Sequence, residues 1–128
     1  MGISSDLQRV IVARLKAAVP AVAGRVYDNP PETAVMPHIS IGPSYWSDDS
    51  AECIRARVET VQIDVWASNR PDKRDAKDAT DQVADALDGW AVEELAMHPL
   101  RVSLVRVMDD PAPGVVHGVV QVEAMVEG

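Results

Sequence analysis

The sequence predicts an α+β protein, a two-layer sandwich in which two main helices pack on a largely antiparallel or mixed β-sheet. Three observations point there. The 128 residues are 47% hydrophobic but only 4% aromatic, with no Phe, so Val, Ala, Leu and Ile must fill the core, and β-branched side chains suit a pleated surface. Two segments, one near the N-terminus and one after Pro71, carry apolar residues at helical spacing. The remaining apolar segments are short, alternate with polar residues, and lie between clusters of Pro, Gly, Asn and Asp. Helices grouped on one face of a sheet bury both patterns, and a chain of this length and apolar content is expected to form one domain over 1–128.

Each element has its own signal. Ser5 with Gln8 three residues on reads as a capping box, and Leu7, Val10, Ile11, Leu15 and Ala18 follow at helical spacing, so a helix is expected over 5–18. Pro20 stops it and Gly24 opens a turn. Arg25 to Tyr27 suits a short edge strand before Asn29, Pro30 and Pro31 interrupt regular structure. A proline is tolerated at the start of a strand but not in its middle, so Pro37 is followed by a strand from His38 to Gly42. Val61, Ile63 and Val65 alternate with Gln62, Asp64 and Trp66, a strand with one face on a core. Between these two strands, residues 43–60 form a protruding loop, or a hairpin whose second arm runs into 54–60. The polar, mixed-charge composition of 44–57 predicts a segment that does not order itself in a free subunit.

The helix after Pro71 carries the clearest stripe: Ala76, Ala79, Thr80, Val83, Ala84 and Leu87, with Lys73, Arg74, Lys77 and several Asp residues mostly on the other side. Gly89 is its natural stop. Two strands, Leu100–Met108 and Val115–Val126, close the chain as a hairpin whose tip holds Asp109, Asp110, Pro111, Pro113 and Gly114.

The chemistry is sparse, and no catalytic, cofactor or metal residue is assigned. His38, His98, His117 and Cys53 share no ligand spacing, and zinc needs three or four ligands at one point. Ser44 and Cys53 lie in no nucleophile elbow. Asp48, Asp49, Ser50 and Glu52 lack the spacing and glycine of a calcium loop and read as a solvated acidic loop. No glycine-rich phosphate loop is present. A formal charge of −8 argues against a protein that grips DNA, because that affinity comes from Lys and Arg displacing counterions. One cysteine and an N-terminus without a signal-peptide pattern predict a cytoplasmic product, and no apolar run approaches the roughly 20 residues that span a bilayer, so no membrane partner is expected.

Contact surfaces are easier to nominate. Tryptophan is enriched among interface hot spots, which favours Trp46, Trp66 and Trp90, although Trp66 on a strand suits a core equally. Tyr45 and Trp46 beside Arg55 and Arg57 form one candidate surface. Lys73, Arg74 and Lys77 form a second, against the plainer reading of a solvated face with Arg74–Asp78 and Lys77–Asp81 pairs.

Several stretches together resemble the tail-terminator, or tail-completion, proteins of long-tailed phages and gene transfer agents. They are the opening helix, Gly24-Arg25-Val26-Tyr27-Asp28 with its proline-bearing loop, Pro37 to Gly42, Ile63 to Ser68 leading into the helix through Leu87, and Val116 to Val120. The resemblance implies a non-enzymatic protein without cofactor that forms a ring, six-fold in that family, on the tail tube. It stops tube growth and offers a surface to the head-tail connector or stopper. The ring would assemble in the host cytoplasm, enter the virion at the head-tail junction, and let DNA slide through its lumen without tight binding. Residues 43–60 follow the family texture only loosely, in the region expected to touch a neighbouring subunit or the tube. Ala-, Val- and Arg-rich vocabulary is similar to that of high-GC bacterial genomes, hence a prophage or gene transfer agent origin. Two other readings remain open: a head-tail connector or stopper subunit, and a small ligand-binding or enzymatic α+β domain, which a deep pocket with converging His38, Asp64 or His117 would favour.

Overall fold

In the computed structural model, which describes residues 2–128, the apolar segments become helices α1 (Ile3–Ala18) and α2 (Arg74–Leu87). The strands are β1 (Val26–Tyr27), β2 (His38–Asp48), β3 (Ala56–Ser68), β4 (Arg101–Asp109) and β5 (Val115–Glu127). They form one sheet in the order β1-β2-β3-β5-β4. β1 runs parallel to β2 and the other pairs are antiparallel, so the sheet is mixed, with two open edges rather than a closed barrel. The fold is α+β, as the patterning predicts.

Leu7, Val10, Ile11 and Leu15 of α1 and Ala79, Val83, Ala86 and Leu87 of α2 share one core with Ile39, Ile63, Val65, Val120 and Val122 of the sheet. Fully burying a side chain of the Val or Leu class is worth about 1.5–3 kcal/mol, so this shared stripe is what fixes both helices to one face. Small residues set how closely α2 lies. A Cβ on Gly118 of β5 would overlap the Thr80 hydroxyl and come within 3.2 Å of both Thr80 Cβ and Val65 Cβ.

Local details depart from expectation at both helices. α1 starts at Ile3, its N-cap is Gly2, and no side chain caps it, so the Ser5–Gln8 capping box does not form. Ile3 packs against the core one turn before Leu7, while the Ser4 hydroxyl donates to Glu59 at 2.8 Å; tertiary contacts extend the helix past the local signal. On α2 the buried stripe includes Ala86, with Ala84 only half-buried. The expected Arg74–Asp78 and Lys77–Asp81 pairs do not form among the described residues, and Lys77 is left without an ion pair. Arg74 turns back to Asp72 (2.9 Å) and Lys73 reaches Asp109 of β4 (3.1 Å). A base placed N-terminal to its acid at i, i+4 is the weaker orientation, and exposed pairs hold little energy, so nearby alternatives win.

The largest difference lies between the second and third strands. β2 continues past Gly42, through a register shift between Ile41 and Ser44, and pairs with β3 out to Asp48↔Arg57. A further bridge joins Ala51 to Ile54. Of the two readings of this segment the hairpin is the one observed, with ladder hydrogen bonds through 44–57. Composition undercounts its order because β5 also pairs along β3 to Ala56↔Glu127, so the hairpin is the end of a three-stranded ladder.

Candidate assembly surface

The hairpin presents its two aromatic residues on opposite faces. Tyr45 pairs across the ladder with Thr60 and Trp46 with Glu59, and successive side chains of a strand alternate. Both are more than half exposed, 68% for Tyr45 and 52% for Trp46. Trp46 lies on the helix side, where the Arg57 guanidinium stacks 3.8 Å from its ring centroid. Arg57 also lies 3.8 Å from Glu59 and donates to the Ser4 hydroxyl at 3.3 Å. Glu59 is 2% exposed, and a buried carboxylate needs such partners. Arg57 thus serves inside the subunit, holding α1 to the hairpin, while Arg55 is exposed and makes no ion pair among the described residues. The tip is fastened by Asp48, which accepts from the Ser50 hydroxyl (2.6 Å) and amide (3.1 Å); these bonds hold its carboxyl below the usual range. Asp48 and Ser50 are turn chemistry within the segment read as a solvated acidic loop.

The second candidate surface is divided. Lys73 is tied to Asp109 and Arg74 to Asp72, and the exposed Lys77 makes no ion pair among the described residues. These three side chains do not meet Tyr45, Trp46 or Arg55, which occupy the hairpin.

The sheet face opposite the helices carries a polar chain that links residues singled out as possible catalytic groups. His117 Nε2 lies 2.7 Å from Asp64 Oδ1, and its ring stacks on Trp66 with centroids 4.0 Å apart. Trp66 Nε1 donates to Ser40 Oγ at 2.9 Å; Gln62 donates to Asp64 and accepts from Gln121. Gly42 makes room for this chain, since a Cβ there would sit 2.5 Å from Asp64 Oδ2. His38 does not join it. Its ring meets the edge of Tyr27, its Nδ1 is buried without a partner, and it lines a shallow cleft of about 380 Å³ with Met36, Ser40 and Trp66 that excludes Asp64 and His117. Burial pushes the His38 pKa down, opposed by a bond to the Val35 backbone and aided by Arg25. The three residues whose convergence would favour an enzyme do not line one pocket. Among the described residues no group of three or more His, Cys, Asp or Glu could hold a metal, and no described helix is long and apolar enough to cross a membrane.

The family model described as Tail completion protein gp17 matches residues 9–127. The chain belongs to that tail-completion family. The match runs from α1 to the end of β5, hairpin included. A chain of a solved structure titled "Virion of native gene transfer agent (GTA) particle" has the same fold, with a TM-score of 0.78, 23% identity, and 92% coverage of each chain. No curated protein matches. The role of this tail-completion chain is accordingly structural, in tail assembly.

Sequence reasoning missed the surface on the outermost strand. β4 exposes Leu104 and Val105, 42% and 46% accessible, on opposite faces of an edge strand. Its signal was present: RVSLVRVMD has apolar residues on both faces, a pattern expected of a covered strand. Glu59 could also be placed, because it shares the alternation of Val61, Ile63 and Val65.

Proposed function

We propose that the chain is a tail terminator: copies form a closed ring, six-fold as the resemblance implies, on the end of the tail tube, stop its growth and present a joining surface to the head-tail connector. The observation that carries this reading is the match to the tail-completion family over residues 9–127. Two features support it. The exposed aromatic residues lie on a projecting hairpin, where rigid side chains give large contact area at low entropic cost, and the polar groups form structural networks rather than a shared pocket. The polar networks support a non-enzymatic role, and the formal charge of −8 supports DNA passing through the ring without tight binding.

Electron microscopy of the full chain, alone and mixed with isolated tail tubes, tests the reading. Rings, alone or seated on tube ends, are expected. Monomers that leave tube ends bare, or rings that bind only isolated connectors, would replace it with a stopper-type role.

A further inference from the structure

The sheet has two unpaired edges, and they complement one another. β1 covers β2 only at Ile39 and Ser40, so the outer edge of β2 is open along the hairpin arm. Pro43, which has no N–H to give, limits the regular part of that edge to Ser44–Asp48. At the other side of the sheet β4 pairs only with β5, and its far edge is open. Its first strand amide beyond Arg101 is capped, Val102 N–H donating to Asp88 at 3.0 Å, and Lys73 closes the other end at Asp109. The stretch between them carries Leu104, Val105 and Arg106, all exposed, with neither proline nor lysine. Protected edges usually carry those residues.

We infer that β4 of one subunit adds to the Ser44–Asp48 edge of a second copy, antiparallel, so that successive sheets join head to tail. This rests on the ring reading above and names its joint. Polarity favours it, because β2 and β4 run in opposite directions within one sheet, and a copy related by rotation about an axis along the strands presents them antiparallel. Charge decides the same way. Antiparallel pairing brings Arg101 to the Asp48-Asp49 end of the hairpin, whereas parallel pairing brings Asp109 and Asp110 there, like against like. Arg101 and Arg106 make no ion pair within the subunit among the described residues. The faces also match. Leu104 shares the open face with Tyr45, and Val105 shares the helix face with Trp46. In the antiparallel register that sets Leu104 opposite Tyr45, Val105 falls opposite Ser44 and is the diagonal neighbour of Trp46. Because the two edges are different surfaces, the contact is heterologous and propagates until it closes.

The test uses the full chain with Cys53→Ser, which removes the exposed free thiol. Tyr45→Cys with Leu104→Cys should give, on mild oxidation, a ladder of linked copies ending in a closed species, since directly opposed Cβ atoms in a ladder approach to about 4.5–5.5 Å. Either cysteine alone should give none. Leu104→Lys with Val105→Lys should keep the wild-type melting temperature and lose the ring in native mass spectrometry. A wild-type ring that survives the lysine pair, or gives no ladder, overturns the edge joint and leaves the ring reading intact. Wild-type protein that is monomeric with and without tubes overturns both. A monomer whose tube binding is lost with the lysine pair assigns β4 to the tube protein and overturns the second copy as its partner.

Discussion

At the scale of single residues, His38 is the group whose environment makes a prediction by itself. Its Nδ1 is buried without a partner, and burial first, with Arg25 adding to it, holds its pKa below the ordinary histidine value. An unfolded chain therefore takes up that proton at a higher pH than the native one, near about 6.5. Stability from this group is present above that value and is lost as pH falls toward the depressed native pKa. His38→Gln removes the term. Thermal melts at pH 7.5 and 5.5 are expected to show a smaller acid-induced drop for His38→Gln than for the wild type; equal drops would assign the sensitivity elsewhere. The sequence placed His38 correctly at the start of a strand. It could not show the missing partner, which depends on Tyr27 and the Val35 backbone folding around the ring.

At the scale of elements, the contact between α2 and β5 rests on small residues. Thr80 is fully buried and donates its hydroxyl to the Ala76 carbonyl at 2.7 Å, and Gly118 lies directly beneath it. Gly118→Ala forces the helix outward or the threonine off its rotamer, a cost of about 1–3 kcal/mol for overpacking. Thr80→Ala removes the overlapping hydroxyl but leaves a Cβ contact at 3.2 Å, so the double variant should recover part of the loss and show a coupling between the sites. Denaturant melts of the four proteins measure it, and strict additivity would mean that the two residues do not touch. The stripe of α2 was legible because a 3.6-residue period survives any tertiary context. The α1 start and the partner of Lys73 were not, because each was decided by a residue distant in sequence, Glu59 for Ser4 and Asp109 for Lys73. The choice between loop and hairpin at 43–60 stayed open for a related reason. The hairpin's order comes from a ladder shared with β5, and composition within 44–57 carries no trace of that third strand.

At the scale of the whole molecule, charge separates a protein that lets DNA pass from one that grips it. The exposed outer side of α2 carries Asp75, Asp78, Asp81 and Asp85, against Arg74 and Lys77, and the formal charge of the chain is −8. On the open face of the sheet Arg101 lies directly across from Glu123 and Arg106 across from Val119, two cations that do not make a row spaced to follow a phosphate backbone. Counterion release scales with the number of phosphates neutralised, and two or three isolated cations leave binding at the non-specific limit, weaker than about 10⁻⁶ M at physiological salt. Fluorescence anisotropy with a short labelled duplex is expected to show no saturation below that concentration, both for subunits and for assembled rings. The ring is the stricter case, because assembly raises the local density of whatever charge faces the lumen. If the edge joint is correct, it also uses Arg101 against the Asp48-Asp49 end of the next copy and withdraws that cation from DNA. Tight, salt-sensitive binding by rings but not by subunits would therefore mean that assembly gathers cations the single chain keeps apart, and it would move the function from a passive terminator toward a connector that holds the genome in place.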